Sequence, residues 1–279
     1  MIKEFKANYY RLFRSKSFYI ITGILLFFSL LSAFFIKFVV DDPFGVIHWF
    51  VDQISQSIKK NPSDGAFLNI YLESVDVLSE YNDLAGVIKS QAIGGATFLL
   101  YSLLVILFVG KEFKSRFYIN HYSGNTPVTK VVFTQWLSLA SISAVMQLLT
   151  AGLTILICSV WCTSFHVGNA AMAAKYMLLA ILGNIAYLTF AYMVTFIRKG
   201  TVLATVLSCL YTLGFLDILF TLLSVFIKQL RLLALSVQIE LTVGDADLFA
   251  YLSAIGSILF FIFLYLGITL VVAKRRDAY

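Results

Sequence analysis

Residues 131–174 contain no Asp, Glu, Lys or Arg, an uncharged stretch of 44 residues. As one helix it would run about 66 Å, roughly twice the ~30 Å hydrocarbon core of a bilayer. The run must therefore fold back, and the string WCTSFHVGNA is where a turn fits. This gives a span at 131–157, a short outer turn and the approach to Tyr176. Charge-free runs at 17–36, 91–109, 176–197 and 248–273 are each near the ~20 residues a crossing helix needs. Residues 201–227 add another, interrupted by Asp217. The expected fold class is an all-α integral membrane protein with six transmembrane helices. Composition agrees: 60% of residues are hydrophobic and 13% charged, against about 25% charged in soluble domains.

The net charge of +6 is distributed as a topology signal. Fourteen of the 21 basic residues fall before the first span, between spans two and three, between spans four and five, or after span six. By the positive-inside bias this places both termini in the cytoplasm. Residues 41–89 on the other side carry eight carboxylates against three lysines. The basic balance needs no nucleic acid; anionic lipid is a sufficient partner. Cys158, Cys162 and Cys209 form neither a disulfide framework nor a CxxC metal pair and read as small apolar fillers.

The non-membrane parts have their own patterns. On a helical wheel of residues 1–16, Ile2, Phe5, Tyr9, Leu12 and Phe13 share one face, and Lys3, Arg11 and Arg14 lie opposite. That arrangement predicts an interfacial helix with Phe5, Tyr9, Leu12 and Phe13 in lipid. Span one follows at 17–40, then an outer segment at 41–90 with two apolar stripes broken at KKNPSDG, which predicts a helical hairpin. Span two is 91–109, a cytoplasmic segment 110–130, span three 131–157, span four 176–197 and span five 201–227. A second outer segment occupies 228–247 and span six 248–273, all within one domain of 279 residues. Residues 233–243 alternate apolar and polar with period two, as a strand does, although the preceding IKQLRLLALS favours a helix.

Signatures of catalysis are lacking. The Gly110-Lys111 pair is followed by Glu112 and has Val105 where a P-loop needs its first glycine. His48, His121 and His166 fall in three separate loops, with no zinc-ligand spacing and no span containing a histidine. No catalytic residue, metal ligand or cofactor is expected in this chain. Asp217 is the one carboxylate inside an apolar span, at a cost of roughly 2.5–3.5 kcal/mol for a helix centre. It lines a translocation path or bonds a neighbouring helix, with Tyr187 and Tyr211 as candidate partners.

The island GKEFKSRFYINHYSGNTPVTK at 110–130 interrupts these runs with four cations, one carboxylate, two glycines and a proline. Glu112, Phe113, Lys114, Arg116 and Phe117 start a short helix. SGNTPVTK, with Gly124 and Pro127, breaks it, and Lys130 leads into span three. A helix-forming elbow under the membrane offers a soluble partner something to push on. The whole order resembles the permease subunits of type-two ABC transporters, the bacterial exporter class. In those, a basic elbow helix precedes six spans and a coupling helix joins spans two and three. Glu112-Phe113, the SGNTPVTK turn and Lys130 match their coupling segment. Their Gly-Thr pair is not matched, with Arg116-Phe117 near its place, and Gln135 or Trp136 stands where a later Lys is expected.

The resemblance implies a bacterial cytoplasmic-membrane protein and a second permease protomer, in a homo- or heterodimer. It also implies a separate ABC ATPase that holds ATP and Mg. It makes 228–247 a helical re-entrant piece and Arg198-Lys199 a secondary ATPase contact. The rival classes are an ion-coupled secondary transporter, which would show repeats and several buried charges, and a non-transporting membrane sensor or scaffold. The acidic outer segment suits a cationic or amphipathic peptide as substrate, because opposite charge concentrates such ligands. Neutralising Asp41, Asp42, Asp52, Glu73 and Asp76 together is expected to lower export of, or resistance to, such a peptide in a cell assay. Unchanged resistance would remove the peptide assignment.

Overall fold

The computed structural model describes residues 2–41, 83–93, 95–115, 127–162, 165–215 and 248–277. Every regular element among them is an α-helix: α1 Ile2–Phe13, α2 Lys16–Asp41, α3 Leu84–Ile93, α4 Gly95–Lys114, α5 Val128–Trp161, α6 Ala170–Arg198, α7 Thr201–Thr212 and α8 Leu248–Asp277. Four stretches are long and apolar enough to cross a membrane: Lys16–Phe38, Val128–Trp161, Ala170–Arg198 and Tyr251–Arg275. That is the signature of a multi-pass membrane protein. α4 has 20 residues but carries Lys111, Glu112 and Lys114 in its last turn. α7 has 12 residues, and 216–227 of the expected fifth span lie outside the described residues. The segments 42–82 and 216–247, with Asp217 and the period-two stretch, lie outside them as well.

Local chemistry explains the helix boundaries. The expected second span begins inside α3, which ends at Ile93, and α4 restarts at Gly95. Gly95, which opens α4, is a poor helix former by roughly 1 kcal/mol relative to Ala. α5 begins directly after Pro127, whose carbonyl accepts the Lys130 N–H at 3.0 Å, and runs four residues past 157 to Trp161. Asn169 caps α6, its Oδ1 accepting the N–H groups of Ala171 and Met172 at 3.1 Å each. Between α6 and α7 the chain turns in two residues, with Lys199 at φ +52 and Gly200 extended.

Contacts divide the chain into two compact units. One comprises Met1–Leu25, Ala92–Leu148 and Leu178–Tyr279, the other Leu26–Gln91 and Leu149–Met177. In the first, a core built from Leu12, Ile21, Val105, Leu139, Tyr192 and Phe196 joins α1, α2, α4, α5 and α6. A second cluster is aromatic and joins α4, α6, α7 and α8. Phe98 stacks on Tyr187 at 4.7 Å, Phe190 tilts against Tyr211 at 4.5 Å, and the Tyr211 and Tyr265 hydroxyls meet at 3.1 Å. The Tyr211 hydroxyl thus has a partner other than Asp217.

In the second unit Ala33, Ile36, Val87, Cys158 and Cys162 form a small core. Ser29 Oγ donates to the Thr150 carbonyl at 2.9 Å and lies 2.6 Å from Thr154 Oγ1. Short polar side chains of this kind hold membrane helices together where apolar burial provides no driving force. Asp83 caps α3 by accepting the Gly86 N–H at 2.7 Å and forms a parallel bridge with His166. Its carboxylate presses on Gly168, where an added Cβ would sit 2.5 Å from Oδ2. Gly168 has φ +52, so that position favours glycine both for space and for backbone.

α4 approaches α7 closely at Gly110. A Cβ at Gly110 would lie 2.3 Å from Thr201 Cγ2, and a β-branched threonine has little freedom to turn away. Gly110→Ala is therefore expected to cost about 1–3 kcal/mol, as overpacking does. Thr201→Ser, which deletes that methyl, should restore stability in the double variant. Thermal unfolding in detergent checks both; equal losses in the single and double variants would contradict the contact.

Candidate functional site

Glu112 occupies the last turn of α4 and is 6% exposed. The position is unfavourable for a carboxylate in two ways. Burial removes its hydration, and the negative end of the helix dipole repels it. Three other helices compensate. From α1, Arg11 forms an ion pair at 2.7 Å between its guanidinium and Glu112 Oε1. From α5, Gln135 donates its Nε2 proton to Oε2. From α6, the Tyr192 hydroxyl lies 2.9 Å from Gln135 Oε1 and 3.0 Å from the Val132 carbonyl. Gln135 and Tyr192 are both buried. The donors all run toward the carboxylate, so charge on one side chain organises the ends of four helices.

Further contacts fasten α1 along α5. Lys130 Nζ lies 3.5 Å from Glu4 Oε1, and the Tyr9 hydroxyl lies 2.6 Å from Ser141 Oγ. Arg11 is steadied by the Asn8 side chain and by its own helix through the Ala7 carbonyl at 3.3 Å. These contacts set part of the expected aromatic stripe against protein. Leu12, at 2% exposure, is in the protein core, Tyr9 and Phe5 are half-buried, and Phe13 stays exposed. Arg11, expected on the polar face, turns inward to Glu112. The physical reason is that an apolar stripe packs equally well on lipid and on another helix, while a buried carboxylate demands a cation.

The expected coupling residues are partly brought together. Glu112 and Phe113 stand in the last turn of α4, Pro127 and Lys130 at the start of α5, and Phe113 packs edge-on against Phe196 of α6 at 5.1 Å. Gly110 touches Thr201, so the turn holding Arg198 and Lys199 lies beside the last turn of α4. Lys111, Lys114, Arg198 and Lys199 are exposed. Arg116, Phe117 and Gly124 lie outside the described residues, as does Asp217. Sequence reasoning missed Arg11, Gln135 and Tyr192 as partners of Glu112. The available signal was a lone acid at the membrane exit, followed by a glutamine in an otherwise uncharged span.

Serine and threonine in α5 and α6 are largely satisfied by their own helices: Ser138 by the Thr134 carbonyl at 2.8 Å, Thr195 by that of Ala191 at 2.7 Å. A separate buried polar group joins α4, α5 and α6. Gln147 Oε1 accepts Asn184 Nδ2 at 2.9 Å and lies 3.4 Å from the Tyr101 hydroxyl. Among the described residues no group of three or more His, Cys, Asp or Glu side chains converges as a metal site.

Removing one member of a buried pair leaves the other uncompensated, at about 3–5 kcal/mol for full burial. Arg11 keeps 28% of its side chain exposed, which screens the pair and puts Glu112→Ala at about 3 kcal/mol, the low end of that range. Glu112→Gln keeps the shape and should cost about 1 kcal/mol. A double-mutant cycle with Arg11→Ala should give a coupling of about 1–3 kcal/mol by denaturant unfolding in detergent. Additive losses would show that the two side chains act independently.

Compared with known proteins, the chain matches no family model, no curated protein and no solved structure.

Proposed function

We propose that the chain is the membrane-spanning permease subunit of an ATP-driven exporter of the type-two ABC class. The observation that carries this reading is the buried Glu112, held by α1, α4, α5 and α6 at the root of the 116–126 segment. A segment that receives force from a soluble partner needs a stiff footing, and a carboxylate fixed by three helices beyond its own provides one. The exposed cations Lys111, Lys114, Arg198 and Lys199 beside it suit a cytoplasmic face by the positive-inside bias.

In this proposal the spans number six, with α4 and 201–227 completing the four long helices, and both termini face the cytoplasm of a bacterial cell. Two protomers pair, and a separate ATPase holding ATP and Mg docks under 110–130 and the Arg198-Lys199 turn. Closure of the ATPases pushes on the footing, and α4 and α5 tilt together because Gln135 ties them through Glu112. α1, fastened to α5 through Glu4–Lys130 and Tyr9–Ser141, moves with them as the elbow. The substrate is a cationic or amphipathic peptide gathered by the acidic outer segment, and Asp217 lines its path.

Lys199 distinguishes docking from stability. Its φ of +52 costs an L-residue about 1 kcal/mol, so Lys199→Gly should raise the unfolding midpoint. In this proposal the same change, combined with Lys114→Ala, weakens copurification of a P-loop ATPase from native membranes and lowers peptide flux in proteoliposomes. A more stable variant with undiminished ATPase capture and flux would refute the docking surface. Capture without flux in the wild-type complex would point to a sensor instead of an exporter.

A further inference from the structure

An apolar groove of about 530 Å³ runs between α2 and α5 in the second unit, lined by Phe27, Leu30, Leu31 and Phe34 on one side and Leu156, Ile157, Val160 and Trp161 on the other. Its volume falls in the range of sites that enclose a ligand-sized body. The walls are well exposed: Phe27 by 61% and Val160 by 75%. One end carries a charge. Lys37, three residues beyond Phe34 on the same stripe of α2, holds its ammonium 5.2 Å from the centre of the Trp161 ring. From Phe27 to Lys37 the helix rises about 15 Å, half of a ~30 Å hydrocarbon core. A tryptophan and a lysine at that level mark the headgroup boundary, the tryptophan as an interface anchor and the lysine snorkelling.

We propose that this groove takes one acyl chain of an anionic phospholipid, with the lipid phosphate paired to Lys37 above Trp161. The depth equals one leaflet, the lining is apolar throughout, and the cation stands where a phosphate would lie. A second copy of the chain fits less well. Membrane helices that associate closely present small residues to one another, whereas this groove presents Phe, Leu, Ile, Val and Trp. Two-fold pairing here would also bring two Lys37 ammonium groups to one interface. The inference stands apart from the exporter proposal, since it needs only a membrane around α2 and α5.

Native mass spectrometry of the full chain, equilibrated with equal amounts of phosphatidylglycerol and phosphatidylcholine of matched chains, tests it. The expected result is about fivefold preferential retention of phosphatidylglycerol, the contribution of one lysine near an anionic headgroup. Lys37→Arg should keep the preference and Lys37→Ala should bring the ratio close to one. Leu30→Trp combined with Leu156→Trp, which fills the groove, should reduce retention of both lipids. Equal retention by the wild-type chain, or a preference that survives Lys37→Ala, overturns the proposal. So does oxidative cross-linking of two Val160→Cys copies with no lipid retained, which would assign the groove to a second protomer.

Discussion

One carboxylate sets the terms for the first unit. Glu112 sits at the wrong end of its own helix and out of water, and its ionised form is tolerable only because Arg11 and Gln135 face it. The consequence is geometric as much as energetic. Tyr192 fixes the Gln135 amide through its hydroxyl, so the rotamers of residues on α5 and α6 are set by the charge on α4. Apolar side chains in a bilayer provide no comparable registration, because lipid is as good a neighbour as another leucine.

The two units use polar contacts differently. In the first, an ion pair and an amide hold the helix ends, and tyrosine rings fill the interior. In the second, hydroxyl contacts between Ser29, Thr150 and Thr154 and the cap of Asp83 against Gly168 take their place. Both follow from the same constraint. Backbone groups in a membrane are satisfied within helices, leaving side-chain hydrogen bonds and close packing to choose which helix meets which.

How much of this could be read from the residues depends on the range of the signal. The long helices were legible because a charge-free run of 20 residues or more has few other fates: α2, α6 and α8 cover the expected runs. The start of α4 at Gly95 was outweighed by the hydropathy around it. α1 was legible as an amphipathic helix, yet its partner was not, since the wheel of Ile2, Phe5, Tyr9 and Leu12 looks the same against lipid or protein. Glu112 stood out as an acid among cations; that Arg11 would answer it, from 101 residues earlier, is a tertiary fact with no local trace. The approach of Thr201 to Gly110 is equally invisible, because only the folded chain brings those two turns together.

The separation of Arg11 from Glu112 also bears on biogenesis. At roughly 5–20 residues per second of synthesis, the guanidinium waits on the order of 5–20 s before its counter-ion leaves the ribosome. Throughout that interval Arg11 can turn only to groups of its own helix, the Ala7 carbonyl and the Asn8 side chain, and to its surroundings. Docking of α1 onto α4 and α5 through Glu112 and Lys130 can therefore close only after the chain between them has been made.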